Sequence, residues 1–236
     1  MAASVFRPRR AGAALLASLL LVLSACRPAA APAPAAAERV APRSERLLDL
    51  VERRTFDFFW DLANPANGLV PDRWPTPSFS SIAAVGFALT AYPIGVERGY
   101  VTREQARDRV LRTLRFFADA PRGPDPAGRT GYQGFYYHFL DMETGLRFET
   151  VELSTIDTTL LLAGVLFSQS YFDRDDPAEV EIRRVAEALY READWQWVRR
   201  RPPLVSHGWT PEEGFGTYDW RGYDESMILY LSLIHI

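Results

Sequence analysis

The amino-acid sequence predicts an all-α fold, an (α/α)6 toroid in which buried inner helices alternate with amphipathic outer helices. Two observations support this prediction: the order of helix types along the chain and the scarcity of period-two alternation. Six helical segments follow one another, amphipathic and apolar in turn, and they make up about half of such a toroid. A helix that is apolar on every side must be covered on every side, whereas an amphipathic helix covers another element. A layered bundle could give the same order, and strands are expected only in a hairpin near 146–151.

The first three helices are predicted between residues 47 and 120. Apolar residues from Leu47 to Leu62 follow helical spacing, and Asn and Gly residues directly afterwards end that helix. Residues 81–92 (SIAAVGFALTAY) are apolar on almost every side and predict a buried helix. The segment 102–120 is amphipathic, and Thr102 with Gln105 at its start fits a capping box.

The remaining helices are separated by two long loops, at 123–134 and 202–222. Residues 153–172 are again apolar. Asp176 followed by Pro177 opens an amphipathic helix, since proline is favoured in the first turn. A third apolar helix is predicted from Glu225 onward, so the apolar and amphipathic types alternate to the end of the sequence.

The N-terminus has the features of a bacterial export signal. Arginines at 7–10 precede an apolar run, 13–23, that is too short for a stable membrane span. The only cysteine, Cys26, directly follows Ser24 and Ala25 and resembles the lipidated cysteine of bacterial lipoproteins. The alternative is an ordinary secretory signal with an incidental cysteine. The predicted organisation is a signal peptide at 1–25, an Ala/Pro-rich tether at 26–43 and a globular part at 44–236.

The charges of the chain exclude several functions. The formal net charge is −3, and removal of the predicted signal peptide with its three arginines would leave about −6, which argues against a nucleic-acid partner. All 27 basic residues are arginine. Because there is no lysine, Schiff-base chemistry and a lysine-containing phosphate loop are excluded. The only membrane contact expected is through the lipid anchor, on the periplasmic side of a bacterial membrane.

Polar and aromatic residues cluster where each of the three apolar helices begins. The clusters are Asp72, Arg73 and Trp74; Glu149, Glu152 and Asp157; and Trp220, Tyr223, Asp224 and Glu225. In a toroid the N-termini of the inner helices open on one end, so these clusters would converge on one cleft. Aromatic rings stack on sugar rings and carboxylates bind hydroxyls or transfer protons, so the sequence predicts a carbohydrate site.

Each of these residues also has a structural interpretation. Ser154-x-x-Asp157 fits a capping box, and Glu152 could be a solvated turn residue. Glu225 lies in a first turn, where the helix dipole favours a carboxylate whatever its function. His138 is interpreted as a cleft-wall histidine, because no second His or Cys stands at metal-ligand spacing and no metal or cofactor is expected.

Several long motifs resemble one known family. They are RTFDFFWDLANPANGLVPDRW, GFYYHFLDMETGLRF, ELSTIDTTLLLAGVLF and WRGYDESMILYL, in that order between about Leu47 and Tyr230. They are similar to the glycoamylase-like domain of exported bacterial proteins, which includes the endo-β-1,2-glucanases of glycoside hydrolase family 144. The resemblance implies an (α/α)6 barrel and a metal-free hydrolase of glucans that inverts the anomeric carbon.

The resemblance carries over three cleft carboxylates, Glu152, Asp157 and Glu225, and the roles and further site residues given next are interpretations of the residues themselves. Glu225 is the expected general acid, with Asp157 or Glu152 orienting water or substrate; the general base stays open. The expected substrate-binding residues are Arg73, Trp74, Tyr136, His138, Glu149, Trp209, Trp220, Tyr223 and Asp224. Residues 232–236 depart from the family pattern, so we expect the chain to be the N-terminal half of the catalytic domain. The alternatives are a carbohydrate-binding lipoprotein without turnover and a polysaccharide lyase.

Overall fold

A computed structural model describes residues 42–233, and the side chains of residues 44–230. The predicted signal peptide, most of the tether and the lipidation site Cys26 lie outside the described residues. The contacts of the chain divide it near Leu48, and the architecture below is that of the unit that begins at Asp49. None of the helices between residues 42 and 233 combines the length and the apolar character that a membrane span requires.

Six helices in the described part of the chain overlap the segments that the sequence predicts, but the last one begins at Met227, so Glu225 lies before it and not in its first turn as expected. They are α1 (Pro42–Asp61), α2 (Ile82–Glu97), α3 (Arg103–Asp119), α4 (Thr155–Tyr171), α5 (Pro177–Glu192) and α6 (Met227–Leu233). The capping box of Thr102 and Gln105 is confirmed at the start of α3, where each side chain bonds the backbone of the other residue. Ser81, Ser154 and Asp176 are the N-caps of α2, α4 and α5.

Short strands connect these helices, so the prediction of an all-α fold is incomplete. The strands are β1 (Ser80–Ser81), β2 (Gly131–Tyr132), β3 (Phe135–Tyr137), β4 (Phe139–Leu140), β5 (Leu153–Ser154), β6 (Gly208–Thr210) and β7 (Gly214–Phe215). Five form an antiparallel sheet in the order β2-β3-β5-β6-β7, and β1 pairs with β4. The expected hairpin near 146–151 amounts to a single bridge between Leu140 and Arg147. Strands of two or three residues are too short to show period-two alternation in a sequence.

The helices form two layers. The apolar helices α2 and α4 pack directly on each other, and α4 also contacts α6, while the amphipathic helices α3 and α5 pack together outside them. Gly86 and Gly164 lie where α2 and α4 meet. A Cβ atom on Gly164 would lie 2.1 Å from the Gly86 carbonyl oxygen, and one on Gly86 would lie 2.3 Å from that of Leu160. Glycine therefore permits a backbone approach that no other residue would allow at these two positions.

A buried ion pair holds the two outer helices together. Arg103, at the start of α3, donates from Nε and Nη2 to the two carboxylate oxygens of Glu179 in α5, at 2.8 and 2.9 Å. Glu179 is 2% exposed and also accepts a 2.8 Å bond from the backbone N–H of Arg174. A second pair between the same helices, Arg115 and Glu181, is exposed. The two pairs thus have similar chemistry in very different surroundings.

Candidate active site

His138 lies between the starts of the two inner helices, and its backbone is bonded to the first residue of α2 and to a residue shortly before α4. The strand before it, β3, pairs with β5, which leads into α4; the strand after it, β4, pairs with β1, which leads into α2. The His138 N–H donates to the carbonyl of Glu152 at 2.9 Å, and the His138 carbonyl accepts from the N–H of Ile82 at 3.3 Å. Strand pairing on either side of His138 therefore brings the starts of these two inner helices to the same end.

The imidazole ring of His138 lies between two carboxylates. Its Nδ1 is 2.8 Å from Oε1 of Glu152, and its Nε2 is 3.5 Å from Oδ1 of Asp157. The side chains of Glu152, His138 and Asp157 are 46%, 29% and 14% exposed, so the cluster opens to solvent on its Glu152 side. Among residues 42–233 no group of three or more His, Cys, Asp or Glu side chains is arranged to hold a metal ion.

The charges in this cluster stabilise one another. Burial alone would lower the pKa of His138, but the hydrogen bond to Glu152 and the charges of Asp157, Glu152 and Asp72 outweigh it, and the pKa is raised above its ordinary value. For the carboxyl group of Glu152 the effect of burial has the opposite sign, and burial alone would raise its pKa. The hydrogen bond from His138 and the charges of His138 and Arg147 hold the pKa of Glu152 below its ordinary value instead.

Asp157 serves the helix and the cluster at once. Its backbone N–H donates to Oγ of the N-cap Ser154 at 3.2 Å, and its carboxylate Oδ2 accepts from the same hydroxyl at 2.5 Å. Ser154 is therefore confirmed as the N-cap of α4, but the Asp157 carboxylate bonds the Ser154 hydroxyl and not its backbone N–H, so the expected capping box is only half formed. The other oxygen, Oδ1, stays directed at His138. The capping role and a place in the cluster are compatible, because they use different oxygens of one carboxylate.

A loop from the third cluster forms the neighbouring wall. Trp220 stacks on His207 with ring centroids 3.8 Å apart and planes at 20°, and its Nε1 donates to Thr155 Oγ1 at 2.9 Å. Thr155 is the first residue of α4, and its backbone N–H donates to the His207 carbonyl at 3.2 Å. This wall is thus attached to the same helix start that carries Asp157.

Glu152 projects into a cleft of about 570 Å³ beside this wall. The cleft is lined by Glu152, His207, Gly208, Trp209, Thr210, Glu213, Gly214, Phe215, Gly216, Thr217 and Tyr218. Gly208 is required here, because a Cβ atom at that position would lie 2.6 Å from the Leu153 carbonyl oxygen and 2.9 Å from Cγ of Glu152. The cleft offers aromatic faces next to a carboxylate, which is the combination that binds a sugar ring.

A second cleft, of about 610 Å³, lies on the β1 and β4 side. It is lined by Arg73, Thr76, Pro77, Ser78, Phe79, Asp141, Met142 and Phe148. The Phe79 ring packs against Phe139, the residue after His138, with centroids 4.1 Å apart, and the Arg73 guanidinium lies 5.2 Å from the Phe79 centroid. Aromatic surfaces therefore reach away from the His138 segment in two directions.

The predicted site residues are only partly brought together. His138, Glu152 and Asp157 form the cluster, and Trp209 and Trp220 belong to the adjoining wall. Exposed residues whose role stays a prediction are Arg73, Trp74, Glu149, Tyr223, Asp224 and Glu225. Asp224 accepts a bond from the N–H of Ser226 at 3.0 Å, next to the start of α6.

Tyr136 was expected to bind substrate, but it lies in the core and not on a cleft wall. The side chain is 1% exposed, and its hydroxyl accepts a 3.2 Å bond from Arg122. Burial raises the pKa of Tyr136 to about 12. Two residues that the sequence reasoning did not place in the site are His207 and Tyr218; His207 is one of three histidines in the chain, which is the signal that could have found it.

Comparisons with known proteins agree with the resemblance seen in the motifs. A scan against models of protein families gives no match. The chain is 28% identical over 202 residues to an exo β-1,2-glucooligosaccharide sophorohydrolase (non-reducing end) of Parabacteroides distasonis, a match that covers 80% of this chain and 26% of that protein.

Solved structures share the fold. A protein of Bacteroides uniformis that is provisionally named a glucoamylase superposes with a TM-score of 0.70 at 29% identity, over 80% of this chain and 45% of that one. A β-1,2-glucanase of Parabacteroides distasonis gives 0.69 at 27% identity, over 80% and 27%. The chain has the helical toroid fold of these glucoamylase-like proteins and spans less than half of their length. The resemblance in the motifs is confirmed.

Proposed function

We propose that this chain, as a relative of glucoamylase-like proteins, forms one wall of the active site of a glycoside hydrolase that cleaves β-1,2-linked glucans. The observation that supports the proposal best is the cluster of Glu152, His138 and Asp157 at the starts of two inner helices, beside an aromatic cleft. The relatives named as acting on β-1,2-glucans supply the linkage.

The finer proposal is inverting, endo-acting hydrolysis. Inversion uses one carboxylic acid to protonate the leaving oxygen and one carboxylate to activate water on the opposite face, about 6.5–9.5 Å apart. We assign the acid to Glu225 and the water or substrate side to Asp157 or Glu152. The water oxygen bonds to the anomeric carbon as the glycosidic bond breaks; one proton goes to the base and one leaves the acid.

Sugar rings would be held by the aromatic walls. Trp220 stacked on His207 presents a wide flat surface, and Trp209 lines the same cleft as Glu152. Cleavage inside a chain requires a site beyond which the glucan can extend in both directions. The clefts on the β6 and β1 sides of the His138 segment provide room for both, which favours endo action.

The test is hydrolysis by the full-length gene product of linear β-1,2-glucan, with β-1,3- and α-1,4-glucans in parallel. We expect new reducing ends from the β-1,2-glucan alone, a spread of product lengths, and α-anomers detected first by proton NMR. Release of disaccharide only would replace endo by exo action. Binding without any new reducing ends would support the carbohydrate-binding alternative, and products absorbing in the ultraviolet would support a lyase.

For localisation, we propose export and lipid anchoring at Cys26 on the periplasmic side of a bacterial membrane. The basic and apolar residues of the N-terminus and the position of the single cysteine support this proposal. Labelled palmitate should be incorporated into the expressed protein and lost in Cys26→Ser. An unlabelled, fully secreted wild-type protein would contradict the anchor.

A further inference from the structure

We propose that His138 is a positioning residue whose positively charged ring holds Glu152 and Asp157 together as two ionised carboxylates, so that neither supplies the proton for glycosidic cleavage. The mechanistic meaning of this inference rests on the proposed function. The charge on His138 is a property of the fold and can be measured without any substrate.

The geometry of the ring carries the argument. Both nitrogens of His138 face a carboxylate oxygen, Nδ1 at 2.8 Å and Nε2 at 3.5 Å. A neutral imidazole has one N–H and leaves the other nitrogen's lone pair beside a carboxylate oxygen, whereas the imidazolium hydrogen-bonds to Glu152 and pairs with the charge of Asp157 at the longer distance. With a neutral ring, the nitrogen lone pair would point at the oxygen lone pairs of Glu152 or Asp157. The charged ring satisfies both contacts.

The backbone prevents the ring from leaving this position. The N–H of His138 is bonded to the carbonyl of Glu152, and its carbonyl is bonded to Ile82. The ring also packs face to face on Phe139, with centroids 3.9 Å apart and planes at 25°. The imidazole is therefore oriented before any ligand binds.

The charges around the ring come from each element packed against it. Asp72 contributes from the segment before β1, Glu152 from the residue before β5, and Asp157 from the first turn of α4. Two arginines act from further away. Arg73 lies 3.7 Å from Asp72, and Arg147 is engaged with Glu212 at 2.8 Å. Two carboxylates thus contact the imidazole and a third acts on it through its charge, and a positive ring lowers their mutual repulsion.

Asp157 is held in place by a second contact. Its Oδ2 accepts the Ser154 hydroxyl at 2.5 Å, so the orientation of the carboxylate does not depend on His138 alone. Its position in the first turn of α4 places it in the positive field of the helix dipole.

With this assignment, the two roles of inverting hydrolysis, activating water and protonating the leaving oxygen, fall to different groups. The water side needs ionised carboxylates, and the cluster supplies two that are preorganised. The leaving oxygen needs a protonated carboxyl group, which must come from outside the cluster. Glu225, in the third polar cluster of the sequence, is the candidate of the described chain for that role. His138 contacts neither water nor leaving oxygen in this scheme and acts through Glu152 and Asp157.

The first experiment measures the charge on His138 directly. The chain is labelled with ¹⁵N at its three histidines, and the ring nitrogens are titrated by NMR, with His138→Gln and His207→Gln used for assignment. We expect His138 to keep both ring N–H groups above the ordinary midpoint of about 6.5, and the midpoint to fall in Glu152→Gln and in Asp157→Asn. A wild-type midpoint at or below the ordinary value, or one that neither variant moves, would overturn the proposal.

The second experiment uses the full-length gene product and the pH profile of kcat/KM on β-1,2-glucan. Removing the positive ring in His138→Gln should move the acidic limb to higher pH, because the carboxylates lose the charge that keeps them ionised, and should lower kcat about 10²-fold. If activity is lost while the acidic limb of the profile stays at the same pH, His138 has only a structural role and the proposal is overturned. If no glucan is cleaved at all, the proposed function fails while the NMR titration still decides the charge.

Discussion

The indole N–H of Trp220 donates a 2.9 Å hydrogen bond to the side-chain oxygen of Thr155, the first residue of α4. The Thr155 hydroxyl lies in turn 2.8 Å from the carbonyl of Ser206 and 3.0 Å from that of His207. Thr155 is completely buried, so these bonds have no competition from water. The aromatic wall and the carboxylate Asp157 are therefore positioned by the same turn of the same helix.

Replacing Trp220 by phenylalanine should test this attachment. The smaller ring keeps an aromatic face toward His207 but cannot donate, and we expect a loss of about 1 kcal/mol of stability and weaker binding of a β-1,2-linked glucotriose. Urea unfolding and calorimetric titration measure the two effects. Thr155→Ser keeps the acceptor and should change little, whereas Thr155→Val should remove the coupling to Trp220. An additive Trp220→Phe, Thr155→Val double mutant would show that the bond contributes nothing.

Glu225→Gln should remove most of the hydrolysis. If Glu225 is the general acid, the amide cannot protonate the leaving oxygen, and kcat on β-1,2-glucan should fall about 10²–10⁴-fold in the full-length gene product. The side chain is exposed, so the unfolding temperature should stay the same. Glu143→Gln, at a position that is exposed and in a turn as Glu225 is, is the matched control. Equal activity of the two variants would remove Glu225 from the mechanism.

Glu179→Gln should be strongly destabilising. It leaves the guanidinium of Arg103 without its buried anionic partner, and losing one member of such a pair costs about 3–5 kcal/mol. Glu181→Gln breaks the exposed Arg115 pair between the same two helices and should cost less than about 1 kcal/mol. Denaturant unfolding of the two variants makes the comparison; similar losses would mean that burial of the pair is irrelevant.

The contribution of Glu179 should also depend on pH. The hydrogen bond from Arg103 holds the pKa of Glu179 below its ordinary value, against the opposing effect of burial. A lowered folded-state pKa gives stability that is present above the unfolded value of about 4.3 and is lost as pH falls through the folded value. The difference in unfolding free energy between wild type and Glu179→Gln should therefore shrink below about pH 4. A constant difference down to acid unfolding would contradict the ion pair.

Gly164→Ala should separate the inner helices. The new methyl group would meet the Gly86 carbonyl oxygen of α2 at 2.1 Å, so the helices must move apart, at a cost of about 1–3 kcal/mol for overpacking. Gly216→Ala is the control, because a Cβ atom there has no neighbour within 4 Å among the described residues. Thermal unfolding of both variants is the measurement. An unchanged transition in Gly164→Ala would show that the close approach can relax.

The helical part of the fold could be predicted because its signals are local. Apolar and amphipathic periodicity located every described helix, and the caps at Thr102, Ser154 and Asp176 follow from residues within one turn. The sheet could not be predicted in this way. The partner strands β5 and β6 are separated by α4, α5 and a long loop, and two or three residues carry no periodic pattern.

The sequence identified which residues belong to the site but not which of them contact one another. The sequence places Glu152 and Asp157 at the start of an apolar helix, which is where they lie. That His138 joins them depends on the pairing of β3 with β5, which has no signal in the residues themselves. The same pairing explains the error at Tyr136: its side chain packs beneath the sheet against Phe117, with ring centroids 5.0 Å apart, and so cannot reach a ligand.

Because the backbone of His138 is bonded to the first residue of α2 and to Glu152, shortly before α4, the spacing of the inner helices and the charge of the imidazole depend on the same contacts. A change at the contact of Gly86 and Gly164 would alter the separation of the helix starts, and with it the distances from the imidazole to Glu152 and Asp157. Evolution in this scaffold would then have little freedom to adjust thermal tolerance and pH optimum independently. Variants selected for growth at a new temperature should carry displaced pH optima, even where no substitution touches the cleft.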